Sequence, residues 1–323
     1  MIDEKSISAA IEALFADIRF TAEPAGLYDP LRYMIAIGGK RIRPRLCLTS
    51  YGLFKDELPA GVLECAAALE VFHSFTLIHD DIMDRSPLRR GVPTVWKKWD
   101  GNTAILSGDV MLIDAYKRIA KAPEKSRAAV LELMNDTFTG IMEGQQYDME
   151  FETREDVTMA EYERMIGLKT AVLLACSAKS GALLADAPAD ACDALYRYGY
   201  ELGMAFQVAD DYLDAYGDQS VFGKPIGGDI LNGKKSWLTL RALDKVPDRE
   251  AFMAAFKRPA DNPQECEAKI SAVKLFYDTL GVAEDARAEI RRLSDRAMRA
   301  VAGLEVDPEP LRRFAGKLIG RVK

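Results

Sequence analysis

Two stretches of the sequence concentrate carboxylates at helical spacing: Asp80-Asp81-Ile82-Met83-Asp84 and Asp210-Asp211-Tyr212-Leu213-Asp214. On an α-helix, residues four apart share one face, one turn apart. Asp80 and Asp84 therefore present two carboxylates in a row, as do Asp210 and Asp214, and Asp218 would extend the second row. Hard cations such as Mg²⁺ take oxygen ligands, commonly one or two carboxylates completed by substrate phosphates. Both motifs follow apolar runs that include Phe72, Phe75 and Ile78 in one case, Met204, Phe206 and Val208 in the other. Aspartates there are costly without a cation or another partner. Two such helices facing each other would form a metal-lined mouth suited to a diphosphate.

Cationic residues accompany the carboxylates. Gly38-Gly39-Lys40-Arg41-Ile42-Arg43-Pro44 is a glycine turn followed by three cations, and Arg89-Arg90-Gly91 follows the first aspartate motif after Pro87. Glycine lets backbone approach a ligand closely, and Lys and Arg bind phosphate oxygens. Lys224 and Lys234 lie in a glycine-rich stretch after the second motif, which reads either as a loop placed to close over phosphates or as a solvated loop. Gly167-Leu168-Lys169-Thr170 falls inside an expected helix, where glycine costs ~1 kcal/mol against alanine. It reads either as a kink that would free carbonyls and turn Lys169 and Thr170 toward a cavity, or as a glycine tolerated within the helix. Gln207 shares a helix face with Asp210. His73, seven residues before Asp80, is placed either to donate to a phosphate or to pack in the core, and His79 reads as packing.

The elements that must position these groups are helices. No proline falls between Pro59 and Pro87, between Pro123 and Pro188, or between Pro188 and Pro225, which leaves room for long helices. Ile7, Ile11, Leu14, Phe15 and Ile18 follow one helix face. Residues 60–84 are apolar nearly all round, the pattern of a buried helix. Similar spans are expected at about 125–151, 159–184 and 192–216. β-branched alternation is scarce, and no repeat or low-complexity linker appears. The expectation is an all-α chain: one domain over residues 1–323, built on central buried helices.

Composition excludes several classes. Of 323 residues 49% are apolar, too many for a disordered chain. The formal net charge of −7 gives no reason to expect nucleic-acid binding. Cys47, Cys65, Cys176, Cys192 and Cys266 form no paired motif and read as free thiols of a reducing compartment. The N-terminus has no signal-peptide pattern, and no apolar segment is expected to reach the ~20 residues that span a bilayer. A cytoplasmic protein follows as the expectation.

The order Gly-Gly-Lys-Arg-x-Arg-Pro, His-Asp-Asp-x-x-Asp with Arg-Arg-Gly, Gly-x-Lys-Thr, Phe-Gln-x-x-Asp-Asp-x-x-Asp, then Gly-Lys and Gly-Gly-Asp closely resembles the trans-isoprenyl diphosphate synthases. These motifs run from Gly38 to Lys234, and residues after about 245 carry none. The resemblance implies an all-α bundle of long helices around a deep cavity, usually a homodimer. It implies three Mg²⁺ ions held by Asp80, Asp84 and Asp210, with Asp81, Asp211 and Asp214 supporting through waters. It implies that Arg89, Lys169, Lys224 and Lys234 hold the allylic diphosphate, that Lys40, Arg43, His73 and Arg90 hold isopentenyl diphosphate, and that Thr170 and Gln207 line the reacting centre.

A terpene cyclase or head-to-head synthase would need one diphosphate site and could dispense with Lys40, Arg43 and Arg90. A His-Asp phosphohydrolase needs more histidines than His73 and His79. A non-catalytic subunit should have lost aspartates, and both motifs are whole. The resemblance further implies that an aromatic residue at Phe75 limits product length and that the smaller Thr76 beside it favours geranylgeranyl over farnesyl diphosphate. On an ideal helix Thr76 lies about 40° from Asp80 and Phe75 about 140° away, so Phe75 reads either as the floor of the cavity or as core.

Overall fold

The computed structural model describes residues 2–217 and 226–320. The helices expected near the N-terminus and at 60–84, 125–151, 159–184 and 192–216 form at nearly those bounds, and others join them: in chain order α1 Glu4–Ala16, α2 Ala25–Ala36, α3 Ile42–Tyr51, α4 Ala60–Met83, α5 Val95–Lys98, α6 Gly101–Ile119, α7 Glu124–Thr153 and α8 Met159–Ile166. A π-turn at Gly167–Ala171 leads into α9 Val172–Leu184, followed by α10 Ala189–Tyr216, α11 Gly228–Leu231, α12 Trp237–Lys245, α13 Arg249–Phe256, α14 Pro263–Thr279, α15 Val282–Ala300 and α16 Glu309–Ile319. Local chemistry starts several of them. Asp3 and Asp100 cap α1 and α6 by accepting from Ser6 N and Thr103 N, and Thr158 with Glu161 forms a reciprocal capping box on α8.

The scarcity of β pattern has one exception among the described residues. Leu88–Arg89 and Val92–Pro93 form a minimal antiparallel hairpin, with Arg89 opposite Val92. Arg90 and Gly91 both adopt positive φ, 54° and 79°. Two left-handed residues match the twist of a tight hairpin, and a charged Arg-Gly pair gives little sequence signal of it.

The chain divides into two compact units. The first comprises Met1–Asp136, Cys176–Tyr196 and Leu304–Leu311. There α4 packs chiefly on α6 and α3. Gly108 of α6 makes the close approach possible, since a Cβ there would strike the His79 ring. The second comprises Thr137–Ala175, Arg197–Gly303 and Arg312–Lys323. Its core joins Tyr162, Ala171, Ala205, Val208 and Trp237 with Phe252, Tyr277 and Ile290. The motif-free residues after 245 therefore bury the motif-bearing helices of this second unit.

Two segments, Ala60–Met83 and Met159–Leu184, are long and apolar enough to cross a membrane, with mean hydropathy 1.4 and 1.3, where the sequence reading expected none. Their apolar windows are 67% and 72% buried within the protein, the state of core helices.

Candidate functional site

In the first unit, α4 delivers Asp80, Asp81 and Asp84 at its C-terminal end, Asp84 being the cap. That end of a helix carries the negative pole of its dipole, where carboxylates are disfavoured by about 0.3–1 kcal/mol each. Asp80 is half-buried and Asp84 exposed. Asp81 is 2% exposed and turns inward. Arg89 clasps it with a two-pronged pair, Nε to Oδ2 and Nη2 to Oδ1, both at 2.8 Å. Burial nevertheless pushes the Asp81 carboxyl above its usual range, with Arg89 pulling it down. The turn after α4 is pinned because Ser86 O accepts from both Thr94 Oγ1 and Trp96 Nε1, each at 2.8 Å.

A cationic cluster occupies the same unit. Gly39 lies at φ 149°, a backbone conformation that residues with a Cβ rarely adopt, and the Arg90 guanidinium sits beside it. Arg43 stands in the first turn of α3 with its Nε buried and without a hydrogen-bond partner among the described residues. His73 is held well below its usual pKa, first by burial and then by Arg43, Arg89, Arg90 and Arg41, so its imidazole is neutral at physiological pH. Lys40 is exposed. Arg41, 8% exposed, is bonded instead to Glu70 and to Ile35 O. On α4, Thr76 is half-open like His73 and Asp80. Phe75 is buried against Phe72 and His79, with ring centroids 5.5 and 4.7 Å away.

In the second unit the expected kink is the π-turn. Val172 N–H reaches back five residues to Gly167 O rather than four, which re-aims Lys169 and Thr170. Lys169 Nζ pairs with Asp148 Oδ2 at 2.5 Å. Burial works upward on the Asp148 carboxyl, but Lys169 and Lys234 bring it below its usual range. Sequence reasoning missed Asp148. The signal available was Gly140, Gly144 and Asp148 on one face of α7, since a Cβ on Gly144 would strike the Lys169 backbone.

Thr170 Oγ1 donates to Gln207 Oε1 at 2.9 Å, and Gln207 Nε2 donates to Asp211 Oδ1 at 2.9 Å. Asp211 Oδ2 accepts from Tyr162 OH at 2.5 Å and Trp237 N at 2.8 Å. Asp214 Oδ2 accepts from Asp229 N at 3.0 Å, so it serves the start of α11. Asp210 lies on α10, half-buried. The Asp229 carboxyl is pushed well up, by burial and then by Asp211 and Asp214. Lys224 lies outside the described residues.

Residues 24–273 match the polyprenyl synthetase family. The chain belongs to that family. This polyprenyl synthetase is 39% identical over 255 residues to the geranylgeranyl diphosphate synthase of Methanosarcina mazei, 78% of each chain. It is 37% identical over 273 residues to the geranylfarnesyl diphosphate synthase of Natronomonas pharaonis, 79% of this chain and 78% of that one. Its fold is similar to a solved geranylgeranyl pyrophosphate synthase with a TM-score of 0.93 and 39% identity, covering 99% of both chains. The trans-isoprenyl diphosphate synthase resemblance and the all-α expectation are both borne out.

Proposed function

We propose that this polyprenyl synthetase joins isopentenyl diphosphate head to tail to an allylic diphosphate, with geranylgeranyl diphosphate as the main product. One observation carries the condensation reading. The chain builds a cationic cluster within each unit: Arg43 and Arg90 near His73 in the first, and Lys169 with Lys234 beside Asp148 in the second. A reaction between two diphosphates needs two such clusters, and a cyclase needs one.

We propose that Lys40, Arg43, His73 and Arg90 hold isopentenyl diphosphate, and that Arg89, Lys169, Lys224 and Lys234 hold the allylic diphosphate. Breakage of the allylic carbon–oxygen bond leaves its electron pair on diphosphate. The isopentenyl double bond then supplies the pair for the new carbon–carbon bond. Loss of one proton, to the released diphosphate, restores an alkene. Thr170 and Gln207 offer oxygens to the allylic cation, and closure excludes water that would quench it.

Three Mg²⁺ ions held by Asp80, Asp84 and Asp210 are proposed, with Asp81, Asp211 and Asp214 supporting. The donors fit the ion: all are oxygens. The Asp229 carboxyl, pushed up first by burial and then by Asp211 and Asp214, stands beside the second aspartate motif. When bound, the ions stabilise charge developing on the leaving diphosphate.

Residues 1–323 are proposed to act as one catalytic domain, since the family match takes in segments of both units. A homodimer is supported by exposed Ile105, Leu106 and Ile113 along α6. A cytoplasmic setting is supported by five free cysteines, four of them buried.

The test is mass spectrometry of products made by the purified chain alone from dimethylallyl and isopentenyl diphosphates with Mg²⁺. Twenty-carbon diphosphate is expected; cyclic hydrocarbons, or no condensation, would overturn the proposal. Arg43→Ala should raise the KM for isopentenyl diphosphate about ten- to a hundredfold, the worth of a charged hydrogen bond. The KM for the allylic substrate should move less than about threefold, and equal effects on both would contradict the assignment. Phe75 and Thr76 are proposed to set product length. Phe75→Ala should then lengthen the product, and an unchanged product distribution from a folded, active variant would assign Phe75 to the core.

A further inference from the structure

Asp211 follows Asp210 in sequence, yet its carboxylate is turned into the protein, 6% exposed. Both oxygens are engaged: Oδ2 by Tyr162 OH and Trp237 N, Oδ1 by Gln207 Nε2. Trp237 is the first residue of α12, so its N–H has no acceptor within that helix and is available to an anion. Tyr162 is 2% exposed and lies on α8, which runs directly into the π-turn bearing Thr170. One end of the network is thus locked in the core. The other ends on Thr170 and Gln207, both half-exposed.

The Asp211 carboxylate decides which way the Gln207 amide points. An amide has an accepting oxygen at one tip and a donating nitrogen at the other. In the observed orientation the nitrogen meets the carboxylate and the oxygen meets the Thr170 hydroxyl. Turned over, the amide would set its oxygen against Asp211 and lose a hydrogen bond to an ionised acceptor, among the stronger kinds. It would also offer its N–H groups toward Thr170. The carboxylate therefore selects one orientation. That orientation commits the Thr170 proton to Gln207 and sets the amide oxygen, rather than the nitrogen, on the Thr170 side.

We infer that Tyr162 and Asp211 are positioning residues that hold the Gln207 amide with its oxygen, and that of Thr170, turned toward the developing allylic cation. The inference rests on the prenyl-transfer reading. Trp237 N and Tyr162 OH hold the carboxylate, the carboxylate holds the amide, and the amide directs the hydroxyl. Neither Tyr162 nor Asp211 need touch substrate.

The test is a double-mutant cycle on kcat. Tyr162→Phe keeps the buried ring and removes only the hydroxyl. It should lower kcat about tenfold, the scale of one hydrogen bond, with the allylic KM within about twofold of wild type. In a Gln207→Ala background the same change should cost less than about twofold, because the group it positions is gone. Gln207→Glu, assayed at pH 8, is the second variant. It retains an oxygen for Thr170 but cannot donate to Asp211, and its kcat should fall at least as far as that of Gln207→Ala. Equal tenfold losses in both backgrounds, a Tyr162→Phe effect confined to KM, or wild-type kcat in Gln207→Glu would each overturn the positioning role. A wild-type chain that condenses no substrate would instead sink the functional reading beneath it.

Discussion

Asp84→Ala lowers kcat at saturating Mg²⁺ by about a thousandfold, on the scale of losing a group that stabilises transition-state charge, and leaves the protein at least as stable as before. The two halves of that expectation share one cause. Asp84 is exposed at the C-terminal cap of α4, and its charge raises the burden on buried Asp81. Removing a negative charge from the negative pole of a helix gains about 0.3–1 kcal/mol, which would raise Tm by roughly half a degree to one and a half degrees in a protein of this size. A group that costs stability where it stands and serves a cation when substrate arrives behaves in this way. Asp80→Ala should lose at least as much kcat. Steady-state kinetics with thermal denaturation checks the pair of effects. Wild-type turnover would mean that the metal ligands lie elsewhere, and a loss of helical circular dichroism would mean that Asp84 serves the fold.

Asp211→Ala gives the opposite balance. It removes the acceptor for three buried or half-buried donors, Tyr162 OH, Trp237 N and Gln207 Nε2. Stranding buried donors costs about 1–3 kcal/mol for each that finds no substitute, so a total near 3–5 kcal/mol is expected, with kcat falling alongside. The carboxyl is itself pushed up to about 6, by burial against the pull of those three donors, so its own ionisation already opposes folding. Folding favours the protonated form, and stability from this group therefore declines as pH rises from about 4 toward 6. The alanine variant should lack that decline. Urea denaturation at pH 7 measures the main effect. A destabilisation under about 1 kcal/mol would show that water or a neighbouring group satisfies the same donors.

Together the two variants separate carboxylates that the sequence writes identically. The spacing of Asp80 with Asp84, and of Asp210 with Asp214, is a local property, because a helix repeats every 3.6 residues whatever surrounds it. The same periodicity set α4 and α10 within a few residues of their observed bounds, and Gly167 marked the π-turn. Such readings need only neighbours in the chain. Which aspartate faces a ligand and which faces the protein is not local. Asp81 is taken by Arg89 eight residues on, Lys169 by Asp148 twenty-one residues back, and Asp211 by Tyr162 forty-nine residues back. Packing chooses those partners, and burial decides what each pairing is worth. The burial of Phe75 beside a half-open Thr76, and the burial of the second unit's motif helices by motif-free residues after 245, were likewise decided by tertiary structure alone. In both cases the deciding contacts come from other helices, which no spacing within a motif can encode.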